Sequence, residues 1–412
     1  MTWLDTLRSH GRTRFAELGL PKTRQEAWRF TSLAALERTP FRPADAASAG
    51  VAIDALPSVT ASHRLVFVNG CFRAALSSAG ALAEGAFAGS LADALVSHPA
   101  LLEAHLGTLA DDASHGPLAL NTAHLTDGAV LYVPKGVRLE APVELVLIGA
   151  GGTEPLAWHP RLLVVMAAGA EATLIEHHLS RGDGAPTFAN GVSELFLDTG
   201  ARLNHYKVQR ENAAAFHLAT VNGRLEREAC YEGFLLSLGA RLSRNEVRLV
   251  LAGTGAEARL SGAYLVRGEQ LCDTTTVIDH ARPGGASRQL FKGVIDEKGH
   301  GVFQGKVLVR PDAQKTDAHQ LSRALLLSDD ARIDAKPELE IHADDVKCSH
   351  GATAGDLDDD ALFYLRARGI DLDGARALLI GAYVGEAIAE ISSEPVREAF
   401  EGLASAWLRA GS

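Results

Sequence analysis

A four-residue template recurs through the middle of the chain and limits the folds available to it. In each copy a Gly, or once an Asp, precedes a small apolar residue, a charged residue and a second apolar residue. The copies begin at Gly136, Gly169, Gly200, Gly239, Gly255 and Asp330. Gly permits the left-handed backbone of a tight turn, and the alternation that follows is typical of a strand with one buried face. The template therefore predicts repeated turn–strand units.

The spacing of these copies favours stacked coils of variable length. Three of the intervals are 33, 39 and 16 residues, which is not a strict repeat. In a solenoid each coil buries its inner face only against its neighbours, so coil length can vary. A β-sandwich would also give many short strands, but 47% hydrophobic and only 6% aromatic residues suit a narrow, aliphatic interior. We predict a mainly β fold with a β-solenoid core.

Helical patterns flank this core and divide the chain into three predicted domains. Residues 1–115 form a mainly helical N-terminal domain with a short hairpin, and residues 116–352 form the core, where the period becomes two from about Pro117. Residues 353–412 form a helical C-terminal domain. Its three predicted helices begin near Asp358, Asp371 and Ser393.

Within the N-terminal domain the predictions are more detailed. One helix ends at Gly19, and the capping-box spacing of Thr23 and Glu26 predicts a second helix starting there. The segment HRLVFVNGCF predicts a hairpin that turns at Asn69–Gly70. Residues 91–106 are also expected to be helical.

Charge and targeting signals narrow the functional classes. A formal net charge of −11 argues against nucleic-acid binding, which needs clustered Lys and Arg. No apolar run approaches the ~18 residues of a transmembrane helix, so no membrane association is expected. The N-terminus lacks the apolar segment of a signal peptide, and the four cysteines form no C-x-x-C pair. These features predict a cytoplasmic protein with reduced thiols.

Motifs for nucleotide or hydrolytic chemistry are missing. Gly301–Val307 has one residue too few between its glycines for a P-loop, and Gly253–Ala258 resembles a dinucleotide fingerprint but precedes another strand. The neighbours His177 and His178 lie on an alternating strand and should face opposite ways, so they cannot chelate one metal ion. We predict that the chain is not an enzyme.

The densest polar chemistry lies at Cys348 and His350. If the chain is extended there, both side chains point to the same face, and a thiolate with an imidazole suits iron or zinc. Two ligands make an incomplete site, which a second chain or His342 would have to complete. The alternative is a buried structural Cys beside an ordinary His, because free Cys is often a small core residue.

The same region carries a family resemblance. The stretch from Gln314 to Ile370, which contains PELEIHADDVKCSHGATAG, resembles the C-terminal signature of the SufB/SufD family of iron–sulfur cluster assembly scaffold proteins. Three further stretches, LGLPKTRQEAWRFTSL (18–33), FVNGCFRAALS (67–77) and residues 120–149, also resemble that family. The resemblance covers nearly the whole chain, and its 314–370 part is the most specific.

The resemblance implies a right-handed parallel β-helix between helical N- and C-terminal domains. It implies a non-catalytic scaffold subunit of the SUF complex that pairs with a SufB-like paralogue through the β-helix. A SufC-like ABC ATPase would bind the C-terminal helices in the region of Arg368, Gly369 and Tyr383. Cys348 and His350 would help to hold iron or a nascent cluster at the paralogue interface. The chain alone would hold no stable cofactor, and iron or a transient cluster would bind in the complex.

Two other functions stay open. A self-paired, SufB-type homodimer would bring two Cys348/His350 pairs together into a four-ligand site. A β-helix enzyme, such as a polysaccharide lyase or an acyltransferase, is disfavoured because the chain lacks a signal peptide and a strict hexapeptide period. Oligomeric state in the presence of a SufB-like partner separates the two scaffold hypotheses.

Overall fold

Two long β-sheets, wound alternately from one chain, form the centre of the molecule. A computed structural model describes residues 2–44, 56–59, 63–110, 113–182 and 184–410. Sheet 1 has eleven strands and sheet 2 has ten. The strands of sheet 1 are β1 (Arg42–Pro43), β4 (Phe87–Ser90), β5 (Gly128–Val133), β7 (Leu156–Trp158), β8 (Arg161–Met166), β10 (Thr187–Leu197), β12 (Phe216–Leu225), β14 (Leu242–Leu251), β16 (Leu271–His280), β18 (His300–Val309) and β20 (Arg332–Ile341). The strands of sheet 2 are β2 (His63–Val68), β3 (Cys71–Phe72), β6 (Val143–Ala150), β9 (Glu171–Arg181), β11 (Arg202–Arg210), β13 (Cys230–Ser237), β15 (Glu257–Val266), β17 (Ala286–Ile295), β19 (Asp317–Leu326) and β21 (Lys347–Gly355).

From β8 onward the chain alternates between the sheets, so each coil contributes one strand to each. Within a sheet, successive strands pair in parallel, and antiparallel pairing occurs at the N-terminal end, between β2 and β3 and between β4 and β5. The result is a β-solenoid of about eight turns, which confirms the parallel β-helix prediction. Inward side chains from both sheets form the largest hydrophobic core cluster.

Left-handed residues mark the corners of the coils. One column of positive-φ residues recurs every 27 to 33 residues: Gly136, Gly169, Gly200, Glu228, Gly255, Gly284 and Lys315. Backbone hydrogen bonds link the corners of neighbouring coils, as from the N–H of Gly255 to the carbonyl of Pro283. A second column holds Ala240, Gly268 and Glu297. The template copy at Gly239 belongs to this second column, and the uneven spacing of the copies follows from that mixture.

The helices lie at the two ends of the sequence. They are α1 (Trp3–Leu18), α2 (Ala34–Arg38), α3 (Leu91–Ser97), α4 (Pro99–His105), α5 (Gly116–Ala123), α6 (Asp359–Arg366), α7 (Leu372–Ile388) and α8 (Glu394–Arg409). Asp358 and Asp371 cap α6 and α7 through their side chains, and α8 starts after Ser393, as predicted. In the described part of the chain, no helix is long and apolar enough to cross a membrane.

Two predictions in the N-terminal part were wrong. No α-helix starts at Thr23; the segment forms a 3₁₀ turn at Glu26–Trp28 and then α2. Trp28 is buried there against the Arg244 guanidinium, 3.9 Å from the ring centroid, so tertiary packing overrides the local helix signal. The helical prediction for residues 91–106 is confirmed as two helices, α3 and α4, which are divided at His98 because Pro99 starts a new helix.

The second error concerns the start of the alternating pattern. Residues after Pro117 form α5 rather than a strand, and the first parallel strand is β5. Helix α5 is buried on almost all sides, so its sequence lacks the apolar stripe that distinguishes a surface helix from a strand. The predicted hairpin is confirmed, since β2 and β3 turn at Asn69 and Gly70, both with positive φ.

The terminal segments cover opposite outer faces of the solenoid. Trp28, Leu33 and Leu36 pack on Phe188 and Phe216 of sheet 1. The C-terminal helices pack on the outer face of sheet 2, and the buried side chains of this contact include Tyr206, Phe234, Leu265, Ile380, Val384, Ile388 and Phe400. The N-terminal segment also reaches the last coil, where Glu26 forms an ion pair with Lys336 of β20. The candidate site lies at that end of the solenoid.

Candidate functional site

The C-terminal end of the solenoid is an uncovered coil. Strand β20 is the outermost strand of sheet 1 and β21 the outermost of sheet 2, and neither has a further strand beside it among the described residues. Side chains that point into the solenoid are no longer covered there by a following coil. Val309 is completely buried, whereas Ile341, its partner in the next coil, is 40% exposed. The N-terminal end differs, because β3 and β4 add antiparallel strands there.

Cys348 and His350 both lie on the inward side of this last coil. In the parallel register Cys348 pairs with Ala318 and His350 with Gln320, and both of those residues are buried in the interior. The prediction that the thiol and the imidazole share a face is therefore confirmed by the strand geometry. Cys348 is half-buried, whereas His350 is exposed at the rim.

The surroundings of Cys348 are apolar. Its side chain packs against a cluster that contains Val307, Val309 and Ala343. Burial raises the pKa of the Cys348 thiol, against a smaller opposing effect of a backbone hydrogen bond from Ala318. The thiol of the isolated chain is thus protonated at neutral pH, and metal binding would release that proton.

The chain supplies only part of a metal-ligand set at this place. Among the described residues, no three His, Cys, Asp or Glu side chains are grouped so as to hold a metal ion. His342 is not brought to the pair, since its Nε2 contacts Glu340 Oε1 at 3.0 Å. His319 faces the outer side, where Nδ1 contacts the Ser349 hydroxyl at 2.5 Å. A thiolate and an imidazole are donor types that suit iron, but two donors alone do not complete a coordination shell.

The two histidines at 177 and 178 face opposite sides of β9, as predicted. His178 points inward and contacts Glu176 at 2.7 Å, whereas His177 points outward, and neither of its ring nitrogens has a hydrogen-bond partner. Burial lowers the pKa of His177 to about 3 and that of His178 to about 4. Both rings are neutral at pH 7.

Sequence reasoning missed a buried polar network inside the middle coils. Glu176 accepts hydrogen bonds from His178 and His205, at 2.7 and 2.6 Å. Nearby, Lys207 contacts His217 Nε2 at 2.9 Å, and His217 contacts Glu211 at 2.9 Å. Burial alone raises the pKa of Glu176, but the hydrogen bonds from the two histidines outweigh it and hold that pKa well below its usual range.

This network lies several coils away from Cys348. A signal for it was present in the sequence, because Glu176, His178, His205 and Lys207 alternate with outward residues on strands whose inward face also carries Ala172, Leu174 and Leu203. Such residues must be paired when buried, since an isolated interior charge is costly. We assign the network to the stability of the interior.

The predicted ATPase-docking region contains an exposed corner between α6 and α7. Gly369 has a φ of +87° and ends the turn after α6, and the Arg368 guanidinium lies 3.5 Å from the centroid of the Tyr364 ring. Phe363 is 74% exposed and Leu372 is 41% exposed. A shallow groove of about 610 Å³ runs along this corner. Phe363, Ile370 and Gly369 are among the residues that line this groove.

Tyr383 lies on α7 and faces the solenoid. Its ring packs under the Lys292 ammonium, 4.3 Å from the ring centroid, and Lys292 forms an ion pair with Glu386. Burial raises the pKa of Tyr383. The structure therefore places Arg368 and Gly369 together at the exposed corner and Tyr383 at the contact between α7 and sheet 2.

Comparison with known proteins agrees with the fold and the C-terminal signature. The family model described as the SUF system FeS cluster assembly, SufBD core domain, matches residues 148–383. The model of the SufBD protein N-terminal region matches residues 1–145. Together these two matches span most of the chain.

Three relatives carry the comparison further. An iron–sulfur cluster assembly SufBD family protein of Synechocystis is 37% identical, covering 91% of this chain and 84% of the relative. The iron–sulfur cluster assembly protein SufD of Escherichia coli is 33% identical, covering 92% and 87%. The chloroplastic protein ABCI7 of Arabidopsis thaliana is 36% identical, covering 68% and 60%. The chain therefore belongs to the SufBD family of iron–sulfur cluster assembly proteins.

Proposed function

We propose that this chain is the SufD-type, non-catalytic scaffold subunit of a SUF assembly complex. It pairs with a SufB-like paralogue through its uncovered last coil and binds a SufC-like ABC ATPase through α6 and α7. Iron or a nascent cluster is its cargo, and the chain alone binds no stable cofactor. The observation that carries this proposal is the inward-facing pair Cys348 and His350 on the last coil, beside which no further strand lies in the described chain.

The open coil supports the pairing. The outer edges of β20 and β21 present backbone N–H and C=O groups that another strand can bond. Half-exposed apolar residues such as Leu339 and Ile341 lie between them. A second solenoid stacked on this end would continue both sheets and bury these side chains, which is how coils stabilise each other elsewhere in the molecule.

The chemistry of the two donors supports iron as the cargo. A thiolate and a neutral imidazole suit iron, and a partner's donors would complete the coordination. Contact with iron favours the deprotonated thiol, which offsets the effect of burial on the pKa of Cys348. A partner that closes over the last coil would also exclude water from the cargo.

Helix α6 supports the ATPase contact. Phe363 and Tyr364 are exposed on its surface, and Arg368 stacks on Tyr364. Aromatic residues and Arg are the residue types most often found at the energetic centre of interfaces. Tyr383 contributes from behind, by fixing α7 on sheet 2. We further propose a cytoplasmic setting, supported by the free thiols of Cys230, Cys272 and Cys348, which need a reducing compartment.

The first experiment is affinity purification of the tagged chain from its own cells, followed by native mass spectrometry and iron analysis. The expected assembly contains one SufB-like chain and two ATPase subunits. A homodimer of this chain would instead favour the self-paired scaffold, because two Cys348/His350 pairs would then supply four donors. A lone monomer without iron would overturn the proposal.

Site variants test the cargo in the same assembly. Cys348→Ala and His350→Ala are each expected to lower bound iron and cluster yield without changing subunit composition. Ser349→Ala is the matched control, because Ser349 lies between the two donors but faces the outer side. Unchanged iron in both site variants would remove the pair from the function.

A further inference from the structure

Gln320 lies one coil beneath His350, in the interior of the solenoid. The two residues are partners in the parallel pairing of β19 with β21, so their side chains stack on the same inward face. Gln320 is only 2% exposed. The residue is therefore the next polar group met on moving inward from the open coil.

The carboxamide of Gln320 has no hydrogen-bond partner on either side. Among the buried side-chain amides of the described residues, it is the one in which both the oxygen and the nitrogen are unpaired. An unsatisfied buried polar group costs about 1–3 kcal/mol, so this amide destabilises the isolated chain. Its presence is not explained by packing, because Met or Leu would fill a similar volume without that penalty.

The opposite sheet leaves room for this amide. A Cβ on Gly305 of β18 would lie 1.9 Å from the Gln320 amide nitrogen, so the amide reaches across the interior to a position without a side chain. In the next coil the register partner of Gly305 is Pro337, which has no backbone N–H to donate to the Gln320 amide oxygen. The fold thus accommodates the carboxamide but does not bind it.

We propose that Gln320 is a positioning residue for His350. Its carboxamide oxygen accepts a hydrogen bond from one ring N–H of His350, which leaves the other ring nitrogen neutral and directed at iron beside Cys348. Histidines that bind metals commonly donate their second N–H to such an acceptor, which fixes tautomer and ring orientation. This inference rests on the proposed function, since it assumes that His350 contacts iron.

Gln320→Met tests the inference in the assembly purified from cells, with iron affinity and thermal stability as readouts. We expect iron to bind about 10–100-fold more weakly, as for other losses of a ligand's hydrogen-bond partner. The variant of the isolated chain should have a higher midpoint of thermal unfolding, because an unpaired buried amide is removed. Gln320→Glu, which keeps an acceptor oxygen, should retain most of the iron affinity.

Gln289→Met is the matched control. Gln289 occupies the same column one coil deeper, and its oxygen is already bonded by the Thr276 hydroxyl at 2.7 Å. This variant should leave iron affinity unchanged and should not raise the unfolding midpoint. If Gln320→Met instead lowers the midpoint and leaves iron affinity unchanged, the amide holds a structural water and the inference is wrong.

A double-mutant cycle separates this inference from the function on which it rests. Because Gln320 acts through His350, Gln320→Met should have no further effect on iron affinity in a His350→Ala background. Additive losses would show that Gln320 acts by another route and would overturn the inference. Loss of iron in His350→Ala but not in Gln320→Met would reject the inference alone. No loss in His350→Ala would reject both.

Discussion

Glu232 joins the solenoid to the C-terminal helices by accepting a hydrogen bond from the backbone N–H of Ser392 at 2.9 Å. The same carboxylate oxygen accepts a bond from the Tyr206 hydroxyl at 2.6 Å. Ser392 lies between α7 and α8, so one buried side chain holds the corner of the helical domain on sheet 2.

Replacing this carboxylate should loosen the helical domain. Glu232→Ala leaves the Ser392 N–H without its acceptor and leaves the Tyr206 hydroxyl only its 3.1 Å contact with Ser392 Oγ, a loss that costs about 1–3 kcal/mol. We expect faster hydrogen exchange across α7 and α8 and a smaller effect on the middle coils. Glu398→Ala, at an exposed position of α8, is the control. Equal exchange in the two variants would contradict this role.

The ion pair of Lys292 with Glu386 predicts an asymmetric effect of substitution. Lys292 is buried and Glu386 is exposed, so Glu386→Gln leaves a buried ammonium without its counter-charge, while Lys292→Met removes that charge. We expect Glu386→Gln to lower the free energy of unfolding by about 1–2 kcal/mol and Lys292→Met to be nearly neutral. Urea denaturation of both variants measures this difference. A larger loss for Lys292→Met would mean that its stacking on Tyr383 dominates.

Acidification should destabilise the chain in two stages. Burial lowers the pKa of His177 to about 3 and that of His178 to about 4, so the unfolded chain binds more protons below the ordinary His pKa of about 6.5. Stability therefore falls as pH drops from about 6.5 towards 4. Glu211, whose pKa is about 2 because the effect of His217 outweighs burial, adds a further loss below about pH 4.5.

His177→Leu isolates one contribution to this pH dependence. Both ring nitrogens of His177 are unpaired, so Leu should raise the free energy of unfolding at pH 7 by about 1 kcal/mol. The dependence of stability on pH between 4 and 6 should also become shallower. Thermal unfolding at several pH values measures both quantities, with His342→Leu, at an exposed position, as control. An unchanged pH dependence would mean that His177 is not buried in solution.

Gly305→Ala should destabilise the last coils through one contact. The added Cβ would overlap the Gln320 amide, and overpacking of this kind costs about 1–3 kcal/mol. The loss should largely disappear in a Gln320→Ala background, where the overlapping atoms are gone. Chemical denaturation of the two single variants and the double variant tests this pairing. A loss that persists in the double variant would place the strain in the backbone of β18.

The exposed corner of α6 can be tested without risk to folding. Phe363→Ser removes a side chain that is mostly in solvent, so the unfolding midpoint should stay unchanged. Binding of the ATPase should weaken at least tenfold if this ring is central to the contact. Val96→Ser, at another exposed apolar position, is the control. Equal ATPase binding by both variants would move the contact to another surface.

The architecture was predictable from the sequence because the turn template has a physical cause. Gly136, Gly169, Gly200 and Gly255 each adopt the left-handed backbone that the template implies. The full coil length was not predictable, since Glu228 and Lys315 take the same conformation without being Gly. Only the hydrogen bonds between neighbouring coils identify them as corners.

The candidate site was partly predictable. The spacing of Cys348 and His350 gave their common face, because period-two geometry holds in any extended strand. Whether that face points into the solenoid depends on the register with the neighbouring coil, which the residue types of Cys348 and His350 do not show. Gln320 carried no signal of its own, since its unpaired amide and the space left by Gly305 arise from different coils. The resemblance places Tyr383 and Arg368 in one docking region. Only the packing of α7 on sheet 2 shows that Tyr383 faces the solenoid while Arg368 lies at the exposed corner.

The last coil, formed by β20 and β21, is expected to be more mobile than the rest of the solenoid. The last coil has a neighbouring coil on one side only, so it opens at a lower free energy than the coils behind it. Cys348 and His350 therefore lie in the most easily frayed part of the β-helix. Docking of another solenoid would order β20 and β21. Chemistry at Cys348 and His350 would therefore depend on whether the strands that carry them are ordered.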